Sequence, residues 1–192
     1  MPRLSIEGDH AKVELLSRRR QKKLGFRPEP RLVKRVSGKR LRFAYSLGMS
    51  LAHVLFPKNF PEIVASGRGR KTTYSAAIEL DAKSQAAIND WYAFHMRTAN
   101  FVLHEKRLKR MGIDEKADAL NSCGIIVNKK PMNVGVTQKG SLVFFEVVNV
   151  NVQLLEAKIR VLPESLKKKQ AARLLSALKK IYNGQNEIFV HN

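Results

Sequence analysis

The stretch from Gly124 to Val150, GIIVNKKPMNVGVTQKGSLVFFEVVNV, constrains the fold more than any other part of the chain. Short apolar runs, GIIV, VGVT and SLVFFEVVNV, are separated by a loop, NKKPMN, and by a turn, QKG. Runs this short, bounded by Asn, Pro and Gly, are strand signals, and a tight turn between two of them makes a hairpin. A β-ribbon late in the chain needs an apolar cover, and the flanking sequence supplies helices.

Phe43, Leu47, Leu51, Val54 and Leu55 recur at helical spacing over 43–55, and Pro57 stops that helix. PEIVAS (61–66) and TTYSAAIEL (72–80) read as two strands of a hairpin around the turn GRGRK, which projects Arg68, Arg70 and Lys71. Asp81 or Ser84 caps a long helical region over 84–110, with Trp91, Tyr92 and Phe94 on its apolar face. Its basic end, EKRLKRMG, suits the helix dipole and is capped by Gly112. Asp114, Glu115 and Asp118 then suit the N-terminus of a following helix. The last element is an amphipathic helix starting with Pro163 and Glu164, with Leu166, Leu174, Leu175, Leu178 and Ile181 on one side and lysines on its back.

The chain has 192 residues, 36 Lys plus Arg against 16 Asp plus Glu, and a formal charge of +20. Such a surplus repels itself and calls for a polyanion, nucleic acid or a ribonucleoprotein first and an anionic membrane surface second. Its densest part is SRRRQKKLGFRPEPRLVKR, which predicts that residues 1–36 form a flexible basic arm ordering only against an anion. Arg18, Arg19, Arg20, Lys22 and Lys23 of the arm, with Arg68, Arg70 and Lys71 of the turn, are the candidate nucleic-acid contacts. Cys123 is the only cysteine, so neither an intrachain disulfide nor a cysteine zinc cluster can form. It reads as a small apolar residue. His53, His95 and His104 have no metal-ligand spacing. No apolar run is long enough to cross a membrane. A reducing intracellular compartment, the cytoplasm, follows as the expectation.

NKKPMN resembles the catalytic loop of protein kinases, D-L-K-P-E-N, with Asn128 at the Asp position, Lys130 and Pro131 matching, and Asn133 at the metal-binding Asn. After a hairpin of the right length, Glu146 falls where kinases carry the Asp of D-F-G, and GII resembles the apolar lead-in to the loop. The resemblance covers about residues 37–185 and is specific over about 25 of them. It implies an α+β fold with a kinase-like two-lobed arrangement. A small β-rich lobe with one helix (37–80) would precede a reduced helical lobe carrying a β-hairpin (81–192). It also implies ATP and Mg2+ as ligands, Asn128 and Lys130 at the catalytic positions, Asn133 and Glu146 as cation and nucleotide ligands, and Lys39 as the small-lobe lysine.

The departures bear on activity. An amide at 128 cannot accept a proton as a general base. Glu146 keeps a hard oxygen ligand on a longer side chain, so cation binding survives with altered geometry. VVN replaces F-G, no Gly-rich loop precedes Lys39, and the helix over 43–55 has no Glu to pair with that lysine. The resulting expectation is a pseudokinase-type nucleotide-binding or scaffolding module, a phosphotransferase only if active and then weak, that docks on nucleic acid through its arm. The alternative is a non-enzymatic basic RNA- or DNA-binding protein with no nucleotide site, in which the last helix also contacts phosphates. In that alternative NKKPMN is a solvated turn, and Glu146 faces outward to pair with a lysine across the hairpin.

Overall fold

The computed structural model describes residues 5–7, 11–15, 18–23, 31–36, 39–65, 72–76, 78, 80, 81, 83, 111–129, 133–182 and 187–189. Helices and small antiparallel sheets are mixed in it, an α+β architecture.

Five strands form the largest described sheet: β1 (Ser5–Glu7), β2 (Ala11–Leu15), β3 (Arg31–Val36), β4 (Ile63–Ala65) and β5 (Thr72–Ala76), in the order β1-β2-β3-β5-β4. The expected β4–β5 hairpin is present. The expected arm is not: residues 1–36 supply three of the five strands and a short helix, α1 (Arg18–Lys23). Register pairs Val13 with Lys34 and Leu15 with Leu32. The physical reason lies in AKVEL, where apolar and charged residues alternate with the period of a strand, and in the valines of RLVKRV, which suit a strand paired on both edges. Density of charge alone does not decide order. The five-stranded sheet therefore begins at β1, well before residue 37.

Between β3 and β4 the chain forms α2 (Lys39–Leu55). Ala44, Met49, Leu51 and Ala52 are fully buried along it. It ends where Pro57 forbids continuation, and Phe60 folds back into the core. The long helix expected over 84–110, with Trp91, Tyr92, Phe94, His95 and His104, lies outside the described residues, as does the GRGRK turn.

Gly112 adopts a left-handed conformation (φ 65°) ahead of α3 (Ile113–Asn121), whose first turn holds Asp114 and Glu115. Then come β6 (Ile125–Val127), β7 (Val134–Val136), β8 (Leu142–Phe144) and β9 (Val147–Asn151). SLVFFEVVNV was expected as one strand and is two. β8 pairs with β7, whereas β9 pairs with β6 and with β10 (Glu187–Phe189), so the chain changes partners at Phe145 and Glu146.

α4 (Val152–Arg160) was not foreseen, because VNVNVQLL reads as one apolar strand. Asn151 breaks it, its side chain accepting from the Leu154 N–H at 3.0 Å as a helix cap. α5 (Leu166–Ile181) is the expected amphipathic helix, with Ser165 as its cap. Ala171, Leu175 and Leu178 bury its inner face, and α2 packs along it and against β9.

Candidate functional site

The loop between β6 and β7 and the break between β8 and β9 meet at one point. Asn128 follows β6 and donates its backbone N–H to the Glu146 carbonyl at 3.3 Å; Phe145 N–H donates to the Asn133 carbonyl at 2.8 Å. These two main-chain bonds hold both ends of the loop against the break. The side chains then converge. Asn128 Nδ2 donates to Glu146 Oε2 at 2.5 Å and Asn133 Nδ2 donates to the same oxygen at 2.8 Å. Glu146 is 5% exposed, which corrects its reading as an outward-facing strand residue. Hydrogen bonds onto a carboxylate are about twice as strong as neutral ones, so two of them offset much of the cost of burying it.

Neighbouring elements fix the break. Tyr45 on α2 donates its hydroxyl to the Phe145 carbonyl at 2.9 Å. Asn59, just after α2, donates to the Leu142 carbonyl at 2.8 Å and accepts from the Phe144 N–H at 2.8 Å. On the far side, the Asp81 N–H donates to the Val136 carbonyl at 2.7 Å, and Leu80 bridges to Thr137. A Cβ at Gly135 would meet Leu80 Cδ2 at 2.7 Å, so a larger residue there would require the Leu80 side chain to shift. The segment between β3 and β4 and the segment after β5 thus both abut the β7–β8 region.

Lys129 turns away to α3, pairing with Asp114 Oδ1 at 2.7 Å. The hydrogen bond to Asp114 raises its pKa against the opposing pull of partial burial. Lys130 lies outside the described residues.

Asn133 and Glu146 are the side chains here that can hold a hard cation. In the present arrangement Asn133 offers its N–H to the carboxylate. Turning the amide over would bring Oδ1 beside Glu146, and a magnesium ion needs only one or two such protein oxygens besides phosphate and water. Among the described residues no group of three or more His, Cys, Asp or Glu side chains is placed to hold a metal. Asn128 supplies hydrogen-bond donation to Glu146 in place of a base.

Lys39, the expected small-lobe lysine, is the first residue of α2, and Lys34 stands on β3. Tyr45 was missed, and nothing in its local sequence marks it.

Of the basic candidates, Arg19, Lys22 and Lys23 are exposed on α1, and Gln21 between them is buried. Arg18 and Arg20 lie on the same helix. Arg68, Arg70 and Lys71 fall outside the described residues. No described helix is long and apolar enough to cross a membrane. No model of a known protein family matches the chain, and no curated protein compared with it matches either.

Proposed function

We propose that the chain is a kinase-like, pseudokinase-type module that binds a nucleotide or serves as a scaffold, and that docks on nucleic acid or a ribonucleoprotein through basic surface. The observation that carries this reading is the convergence of Asn128 and Asn133 on Glu146. These are the positions at which a kinase gathers its catalytic and metal-binding side chains, and the hairpin between them has the spacing the resemblance requires. The antiparallel sheet with one helix inserted after its third strand is consistent with a small β-rich lobe. Lys34 on that third strand is the candidate for the phosphate-contacting lysine. With an amide at 128, phosphoryl transfer is absent or weak, and binding is the activity left.

The test is thermal unfolding with ATP or ADP, with and without magnesium. A ligand at 100 times its dissociation constant adds about 2.7 kcal/mol of stability. Asn133→Ala should abolish the magnesium-dependent part of the shift. No shift with any nucleotide rejects the reading. The second reading, a basic nucleic-acid-binding protein with no nucleotide site, then stands on charge alone.

A further inference from the structure

α5 carries six basic side chains and no acidic one. Three of them are engaged within the fold. Lys167 Nζ donates to the Leu55 carbonyl at 3.4 Å, Lys168 pairs with Glu164 at 2.7 Å, and Lys179 pairs with Glu156 at 2.7 Å. Lys169, Arg173 and Lys180 are exposed, and none of these side chains makes a hydrogen bond or ion pair with a described residue.

The three are not scattered. They stand at positions i, i+4 and i+11, and eleven residues are close to three helical turns, so they form one stripe opposite the buried Ala171, Leu175 and Leu178. Along the axis they span about 16 Å, with steps of about 6 and 10 Å. Lys180 also lines the groove of about 650 Å3 between α4 and α5 together with Arg160, which adds a fourth cation. Glu156 also lines that groove, where Lys179 pairs with it, and α5 itself carries no acid, so its row of positive charge complements a row of phosphates. One strand of a duplex presents a charge about every 3.4 Å of axis, so the stripe spans about five phosphates. Neither α4 nor α5 holds an aromatic residue on which unpaired bases could stack.

We infer that Lys169, Arg173 and Lys180, with Arg160 beside them, form a docking face for the phosphate backbone of a duplex nucleic acid, read without regard to sequence. The inference rests on the reading that the partner is nucleic acid, and it places the contact on the last long helix. The competing occupant is an anionic membrane. Leu154, Val161 and Leu166 are the exposed large apolar side chains of the described residues, Leu166 at 86%, and they lie on α4, at its end and at the start of α5.

Binding of the full chain to a 20-base-pair RNA duplex and a DNA duplex of the same sequence is measured by fluorescence anisotropy between 50 and 200 mM salt. Three phosphate contacts contribute about 2.7 to the logarithmic salt slope. The triple variant Lys169→Gln, Arg173→Gln, Lys180→Gln should therefore lower the slope by about that amount on both duplexes. The fall in affinity over this range should shrink by about 40-fold. The same triple neutralisation at exposed Lys58, Lys83 and Lys139 should leave the slope in place. An unchanged slope in the α5 variant, or an equal drop in the control, overturns the docking face while leaving nucleic-acid binding intact. Failure of the parent protein to bind either duplex at 50 mM overturns the nucleic-acid reading itself. Binding to phosphatidylserine vesicles that Leu166→Asp removes, with no duplex binding, overturns both in favour of a membrane.

Discussion

Glu146→Gln isolates the charge at the centre of the site while keeping its shape. Two amide donors, Asn128 Nδ2 at 2.5 Å and Asn133 Nδ2 at 2.8 Å, share one carboxylate oxygen that is almost fully buried. A neutral hydrogen bond contributes about 1 kcal/mol net and one onto a carboxylate roughly twice that. An amide oxygen in the same place keeps the geometry and loses the excess, about 1 kcal/mol per bond. The variant should thus be less stable by about 2 kcal/mol, somewhat less because both Asn side chains are half-buried and water can assist them. For a chain of this length that is a fall in Tm of about 4–8 °C. Glu146→Ala should cost more, about 3 kcal/mol, because two donors lose their acceptor outright. Urea unfolding reads both, with the midpoint moving and the slope unchanged. If both variants unfold within about 0.5 kcal/mol of the parent, or Glu146→Gln is more stable, the amides do not hold the carboxylate and the reasoning fails.

Further outcomes follow from single contacts. Gly124→Ala should cost well over 1 kcal/mol, since its Cβ would sit 2.8 Å from the Asn151 carbonyl at φ 88°; Gly140→Ala, at φ 75° with nothing within 4 Å, should cost only the backbone strain of about 1 kcal/mol. Equal losses in denaturant melts would refute the clash. Tyr45→Phe should lose about 1 kcal/mol with the hydroxyl bond to Phe145, and should also reduce any nucleotide-dependent stabilisation, because α2 would no longer brace the break beside Glu146. The raised pKa of Lys129 means that its pair with Asp114 stabilises the fold below pH 10.5 and that this contribution is lost as pH rises through the higher folded value. Both side chains are about half exposed, so the stabilisation is at most a few tenths of a kcal/mol. The part of the stability difference between the parent and Asp114→Asn that comes from the pair should disappear above that pH, leaving what the Asp114 charge contributes at the α3 N-terminus.

What could be read from the sequence was set by local chemistry. The meeting of Asn133 and Glu146 follows from the length of the hairpin between them, which the Gly140 turn and the two apolar runs fix without help from the rest of the chain. α2 and α5 were legible because Pro57 and the leucines of the last helix mark their limits and inner faces. β1, β2 and β3 were hidden because the surrounding run of charge masks the alternation of AKVEL, and RLVKRV does not alternate at all; β3 is fixed by pairing with β5, a partner about forty residues away, and β2 and β1 pair onto it in turn. α4 was missed because the apolar residues of β9 continue into the helix and only Asn151 separates them. The amide pairing on Glu146 Oε2 could not be foreseen at all, since it depends on side-chain directions at both ends of a loop.

The most direct test of the site is a titration with Mn2+ and ATP followed by NMR of the backbone and side-chain amides. The bound paramagnetic ion should broaden Asn133, Phe145 and Glu146 first, ATP should be required for the effect, and Asn133→Ala should remove it. Broadening confined to exposed carboxylates such as Glu156 and Glu164, or independent of nucleotide, would contradict this placement of the ion.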